Sequence, residues 1–233
     1  MAILEQPFYN KTIKLYTGVF GTVFNNIHIV RDNDKSIRVP ISYAGQQKQN
    51  VIAEHEDEVP TARYKMRLPR MAFRLIGWQK DESRITNKRH ILQDLTPDRT
   101  AVNGVQSQLN RVPYNFTYEL AVKTKHMDDM LQIAEQILVY FNPSIEIDVI
   151  DNPNISGTTA INLSMESSSL EDNFEGLYEE GRVIESTFTF VLEGYLYMPS
   201  KESGIIKKIT LNYYDLFDPD TILETDIIDE SDL

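Results

Sequence analysis

Tyr114-Asn115-Phe116-Thr117-Tyr118-Glu119-Leu120-Ala121-Val122-Lys123-Thr124-Lys125 is followed, after His126, by Met127-Asp128-Asp129-Met130-Leu131-Gln132-Ile133-Ala134-Glu135-Gln136-Ile137-Leu138-Val139-Tyr140-Phe141, and the hydrophobic period changes between the two. In the first stretch Phe116, Tyr118, Leu120 and Val122 alternate with Thr117, Glu119 and Lys123. Side chains two apart share one face of a strand, so this stretch predicts a strand with one face on a core. In the second, Met127, Met130, Leu131, Ala134, Ile137, Leu138 and Phe141 recur at helical spacing and predict an amphipathic helix. Asp128 and Asp129 fall in its first turn, where the helix dipole favours acids, and Pro143 follows its end.

Downstream, Arg182 to Tyr197 is a second long strand pattern, with Val183, Phe188, Phe190, Leu192 and Tyr195 as apolar positions. Ile145 to Ile150 and Thr159 to Met165 read as strands around an Asn/Pro/Gly turn, Leu170 to Gly181 as an acidic loop, and Ile205 to Leu211 as a further strand. Upstream, Ile13, Tyr16, Thr17, Phe20 and Phe24 lie at helical spacing within residues 10–24, with Gly18 and Gly21 weakening the helix. Ile27 to Val30 reads as a strand. Ile37-Arg38-Val39-Pro40-Ile41-Ser42-Tyr43 alternates strictly, so Ile37, Val39, Ile41 and Tyr43 would share a face; Pro40 cannot donate to a ladder, which favours an edge strand or a bulge. Arg63 to Trp78 carries another long pattern whose phase shifts at Pro69-Arg70, again a bulge or a junction of two strands.

The order predicts an α+β fold: a mixed, mostly antiparallel sheet packed by two helices. Residues 1–212 are expected to form one core domain with long loops near 44–60, 79–112 and 166–181, and residues 213–233 an extended acidic C-terminal arm. From Asp215 onward there are acids, no Lys or Arg, and interspersed Phe217, Ile222, Ile227 and Ile228. Such a segment cannot build its own core; the apolar residues favour an arm that orders against a partner over a free tail.

Charge is polarised along the chain. Residues 1–126 hold 19 Lys and Arg against 12 Asp and Glu, and residues 127–233 hold 4 against 23, within a net charge of -12. A chain so divided suits contacts with different partners on different surfaces, or head-to-tail pairing with its own copies; two solvated faces that merge in the fold are the alternative. There is no Cys, which excludes disulfides, thiolate metal sites and Cys nucleophiles. Residues 1–10 include Glu5 and no long apolar run, and no window approaches the roughly 18 apolar residues of a membrane span, so neither a signal peptide nor a transmembrane helix is expected.

No pattern points to catalysis or to a cofactor. His28, His55, His90 and His126 are scattered, and no phosphate-binding glycine loop or Gly-x-Ser-x-Gly elbow occurs. His55 among Glu54, Glu56 and Asp57 reads as an exposed acidic loop, and Asp128 and Asp129 beside His126 as helix-start acids rather than metal ligands. Arg63, Lys65, Arg67, Arg70 and Arg74 belong to nine Lys and Arg between residues 63 and 89, beside Tyr64, Phe73 and Trp78. That set admits a nucleic-acid-binding reading through phosphate contacts and base stacking, or a basic face docked on an acidic protein.

Three stretches together resemble the tail sheath stabiliser and completion family of T-even-like contractile-tailed phages: Phe8-Tyr9-Asn10 through Tyr16 with Gly18-Val19-Phe20-Gly21-Thr22-Val23-Phe24-Asn25-Asn26-Ile27; Ile37 to Ala44 with its internal Pro40; and Tyr118-Glu119-Leu120 with Asp128-Asp129-Met130, Gln132-Ile133, Glu135 to Leu138, Tyr140-Phe141 and Pro143. The similarity runs to about residue 145 and continues more weakly through Phe188 to Tyr197. The resemblance implies a tail-terminator-like fold and a virion protein, assembled in the host cytoplasm, that forms a hexameric ring at the head-proximal end of the tail. It implies a ring that caps the sheath, sits over the tube or its terminator protein, and meets the head-neck connector proteins. DNA would pass through the channel, with no catalysis, cofactor or membrane. The closely related tube-terminator role and a nucleic-acid-binding module over 63–89 are the competing readings. The expected subunit or partner contacts are Ile37, Arg38, Val39, Pro40, Ile41, Arg63, Lys65, Arg67, Arg70, Arg74, Phe217, Ile222 and Ile227.

Overall fold

The alternating stretch quoted above forms β7 (Val112–Thr124), a central strand of a six-stranded sheet ordered β3-β4-β7-β10-β9-β8. The others are β3 (Ile41–Tyr43), β4 (Arg70–Lys80), β8 (Ser144–Val149), β9 (Thr159–Asn173) and β10 (Val183–Leu196). β3 pairs with β4 in parallel, and every other pairing in the sheet is antiparallel. The fold is therefore α+β with a mixed, mostly antiparallel sheet and two helices, α1 (Thr12–Val23) and α2 (Met127–Leu138). This computed structural model describes residues 7–31, 35–44, 68–87, 89–95, 105–152, 155, 157–173, 183–203, 208–214 and 222–229. The chain divides into two units, one of residues 1–88 and 111–197, the other of residues 89–110 and 198–233.

In the first unit the strand period places Phe116, Tyr118, Leu120 and Val122 on one face, opposite Leu192, Phe190, Phe188 and Ser186 of β10. The helices pack there. Phe20 of α1 stacks on Tyr118 with ring centroids 4.6 Å apart and meets Phe73 and Phe190. Phe24 and Phe141 close over Phe190 from the helix ends. Each such side chain withdrawn from water contributes roughly 1.5–3 kcal/mol. Gly21 and Gly194 permit this close approach: a Cβ at Gly21 would lie 2.7 Å from the Phe73 ring, and one at Gly194 2.5 Å from the Tyr16 ring. Gly21, which weakens α1 as an isolated helix, is what the tertiary contact needs, whereas a Cβ at Gly18 would meet nothing within 4 Å.

Several elements differ from expectation. Ile37 to Tyr43 is two strands, β2 (Lys35–Arg38) and β3, because the chain leaves one sheet and enters another at Val39-Pro40. β2 pairs with β1 (His28–Arg31), while β3 is the short edge of the large sheet. The irregularity of β4 falls between Leu75 and Gly77 rather than at Pro69, where the strand has not yet begun. On α2 the buried stripe is Met130, Ile133 and Ile137, and Leu131 and Leu138 point outward, since β1, β7 and β10 lie on only one side. β9 runs to Asn173, through part of the expected 166–181 loop, because β10 supplies pairing partners that its serines and acids do not advertise. The polar stretch 79–112 contains β5 (Ile91–Leu95) and β6 (Val105–Leu109). The expected loop over 45–60 lies outside the described residues.

In the second unit β5 and β6 pair antiparallel and β11 (Lys201–Ser203) adds to β6. Buried Gln108 donates its side-chain amide to the Met198 carbonyl, and the Ser107 hydroxyl reaches the Lys201 carbonyl at 3.2 Å. β12 (Lys208–Tyr214) and β13 (Ile222–Asp229) form an antiparallel ribbon. Residues 222–229 of the expected extended arm are thus a paired strand, and β12 runs across the expected boundary at residue 212.

Candidate assembly interface

The expected contact residues fall into three groups. Around the strand break, Ile37 is half-buried opposite Ile29, and Arg38 is exposed with its Nε donating to the Asn25 carbonyl at 2.8 Å. Val39 has no exposed surface and its N–H donates to the Ile27 carbonyl at 2.9 Å. Pro40 is exposed, and its carbonyl accepts from the Met71 N–H at 2.9 Å, which seats Ile41 opposite Met71 at the start of the parallel pairing. Proline lacks a donor, and here only its acceptor is used. Val39 thus belongs to the core, while Arg38 and Pro40 offer surface at the crossing between the two sheets.

The second group is the basic strip. Arg63, Lys65 and Arg67 lie outside the described residues. Arg70 donates to the Ser42 hydroxyl at 3.1 Å, tying β4 to edge strand β3. Arg74 makes a two-pronged bond to Glu119 on β7, at 2.8 and 2.9 Å. Planar guanidinium and carboxylate match in this geometry, and the bond with Glu119 holds Arg74 more firmly protonated. Arg84 donates to Asp81 at 2.7 Å and to the Asn115 side chain at 2.7 Å, and lies over the Tyr195 ring, where Arg111 also stands 4.0 Å from the centroid. The Arg84 bond and then the Ser83 hydroxyl hold Asp81 well below the usual carboxylate range. Arg74 and Arg84 therefore already have carboxylate partners, which reduces what this strip offers a polyanion and argues against the nucleic-acid reading.

The third group is C-terminal. Phe217 lies outside the described residues, and Ile222 and Ile227 occupy β13, the latter in register with Thr210.

Three arrangements escaped the sequence reading. Gln132 and Gln136, one turn apart on α2, each bind β1 as a neighbouring strand would. Gln132 accepts from the Val30 N–H at 2.8 Å and donates to the Val30 carbonyl at 3.0 Å; Gln136 does the same for His28 at 3.3 and 2.6 Å. Beside them Arg31 pairs with buried Asp129 at 2.7 Å, so this first-turn acid has a specific partner as well as the dipole. The edge of β1 away from β2 is thereby satisfied by side chains, and that face of α2 is held to β1.

A second arrangement centres on buried Asp151, just after β8. It accepts from the hydroxyls of Tyr16 at 2.6 Å, Tyr197 at 2.9 Å and Thr159 at 2.8 Å. The Tyr16 oxygen also accepts the Tyr195 N–H at 3.0 Å. Burial, then the Asp151 bond, raises the Tyr16 phenol far above its ordinary value, and burial pushes Tyr197 up to about 12. The site ties α1, β9 and the end of β10 together. Its buried hydrogen bonds make it a junction between these elements.

The third is exposed apolar surface, at Ile76 and Trp78 near the end of β4 and at Ile209, Leu211 and Tyr213 on β12. Among the described residues no helix is long and apolar enough to cross a membrane.

Comparison with known proteins agrees with the expected family. The chain is 30% identical over 234 residues to the tail completion protein gp15 of Enterobacteria phage T4, covering 94% of this chain and 84% of that protein. The profile of the T4-like virus Myoviridae tail sheath stabilisers matches residues 7–230, across both structural units, and the chain belongs to that family of structural phage tail proteins.

Proposed function

We propose that the chain is a structural virion protein that completes the head-proximal end of a contractile phage tail as a ring of six copies. The ring caps the sheath, sits over the tube or its terminator protein, and gives the head-neck connector proteins a surface to join. DNA passes through its channel without sequence-specific contacts, and assembly takes place in the host cytoplasm. The observation that carries this reading is the family match along residues 7–230.

The geometry supports it. Edge strand β3 and the exposed crossing at Arg38 and Pro40 suit addition of a neighbour's strand. Arg70, Arg74 and the basic residues before them, Arg63, Lys65 and Arg67, form one partner surface in this proposal. The acidic stretch containing Phe217, Ile222 and Ile227 reaches the sheath or a neighbouring copy. Polarised charge suits a subunit with different neighbours above, below and beside it.

The test is solution mass, by light scattering, followed by co-sedimentation with assembled sheath. A closed species of six 26.9 kDa chains that binds sheath ends is expected. A chain that stays monomeric both alone and beside sheath overturns the ring reading. A ring that binds bare tube ends and ignores sheath moves the role to tube termination.

A further inference from the structure

β9 is longer than the strand beside it. β8 pairs with residues 159–164 and ends there, while β9 continues along β10 to Asn173. Residues 166–172 of β9 are all exposed, Leu170 by 53%, although Ile184, Ser186 and Phe188 of β10 are buried. Among the described residues no strand pairs with the outer edge of this stretch. Such an edge is a row of backbone donors and acceptors ready for another strand, and native edges are commonly blunted by Lys or Pro. Residues 166–172 contain neither, and the one irregularity of the strand, at Glu166, stands at their start.

The two faces of this edge differ. Leu170 stands opposite Ser186, on the helix side of the sheet with Phe188, and Glu171 stands opposite Glu185 on the other side. Arg70, Lys123, Glu185 and Glu171 form one row of the register across β4, β7, β10 and β9. Lys123 lies 3.3 Å from Glu185, which leaves Glu171 at the end of the row beside a like charge. Among the described residues neither Glu166 nor Glu171 has an ion-pair partner. Opposite charges and apolar pairs across neighbouring strands are favourable, so the strand that fits here brings cations to the Glu171 face and apolar side chains to the Leu170 face.

Arg63-Tyr64-Lys65-Met66-Arg67 carries that alternation in this chain's own sequence. In an extended strand its three cations share one face, and Tyr64 and Met66 the other. Chain connectivity limits where the segment can go. Arg67 precedes Arg70, the first residue of β4, by three residues, a span of at most ~11 Å. A strand added beyond β9 stands four strand spacings from β4, roughly 19 Å. The segment therefore cannot lie along the β9 of its own copy. We propose that residues 63–67 of one copy add as a strand to the open edge of β9, residues 166–172, in the next copy, and that this contact links subunits around the ring. A segment from one place joined to an edge at another makes a heterologous interface, which closes into a ring when the rotation between copies divides a full turn. The contact rests on the ring reading above.

The chain has no Cys, so introduced thiols report proximity without background. Leu170→Cys chains are mixed with Tyr64→Cys or with Met66→Cys chains and oxidised mildly, with mass followed by sedimentation velocity before oxidation and by denaturing gel after it. A disulfide dimer joining one chain of each kind is expected, and a chain carrying both Met66→Cys and Leu170→Cys is expected to give a ladder of covalent oligomers. Glu171→Arg and Arg67→Glu are each expected to weaken assembly by roughly 10-fold or more, and the chain carrying both to recover most of that loss, which a merely structural role of either residue would not allow. An assembled ring in which neither mixture cross-links overturns this contact and leaves the ring standing. A double-Cys chain that closes its disulfide only within single chains overturns the assignment to a second copy. Charge reversals that spare the ring and abolish sheath binding give the edge to the sheath and overturn it as well. A wild-type chain that never assembles, alone or beside sheath, overturns the ring and the contact together.

Discussion

Tyr16→Phe removes one oxygen and keeps the ring that packs on Phe116, so it isolates the hydrogen bonds at Asp151. The lost hydroxyl donates to Asp151 Oδ2 at 2.6 Å and accepts the Tyr195 N–H at 3.0 Å. Tyr197 and Thr159 both bind Oδ1 and cannot cover the vacated Oδ2. Tyr16 is fully buried and Asp151 is 2% exposed, so solvent does not reach either orphan without rearrangement. An unsatisfied buried group costs about 1–3 kcal/mol, and two are created, so the variant is expected to lose roughly 2–6 kcal/mol. That is a large share of the ~5–15 kcal/mol that stabilises a typical fold. The assay is urea unfolding near neutral pH, followed by far-UV circular dichroism and by Trp78 fluorescence. Trp78 belongs to the same unit as the Asp151 site, which matters because two units need not unfold in one transition. A loss below about 1 kcal/mol would refute the claim that this buried junction, rather than aromatic packing alone, anchors α1 to the end of β10.

Two further predictions concern the buried phenols and the contact of α2 with β1. Burial first, and for Tyr16 and Tyr197 also the Asp151 bond, raises the phenols of Tyr16, Tyr118 and Tyr197 above their ordinary value of 10.0, the last two to about 12. A raised folded-state pKa gives stability that is complete below the unfolded pKa and lost above it, so stability should hold to about pH 10 and then fall by up to ~4 kcal/mol per pH unit towards pH 12. Urea midpoints across that range check this, and a flat profile contradicts the burial of these hydroxyls. Gln132→Ala with Gln136→Ala keeps helix propensity but strips the side-chain bonds from β1. Hydrogen exchange at the amides of His28 and Val30 is expected to rise sharply while that of buried Leu120 changes little, and unaltered exchange at both would show that the glutamines do not seal this edge.

What could be read from residues alone was whatever a local period encodes. β7 and β10 announce themselves because every second side chain meets the helices, and α2 because one face meets the sheet. The proline in 37–43 predicts an edge strand or a bulge; it lies instead at the break between β2 and β3, the latter an edge, and the step from one sheet to another depends on where β4 and β1 lie. β5 and β6 were illegible because Gln, Ser and Asp carry no apolar alternation, and their pairing is specified by distant partners. Of the expected contact residues, Val39 proved internal, and the basic strip proved partly neutralised by Glu119 and Asp81, both consequences of strand neighbours rather than of spacing.

Composition, the absence of Cys, the charge division and the family resemblance are all properties of the chain as a string, and of these the family resemblance alone named the class of protein. The tertiary structure alone decided which acids and amides became structural. Asp151 meets Tyr16 across 135 residues, and Gln136 meets His28 across 108. No pattern in a linear sequence marks such pairs, because each residue type is ordinary where it stands and gains its role only when folding removes water from around it. Exposed Trp78 and Leu211 are of the same kind: an apolar residue in a strand reads as core until the fold shows it exposed.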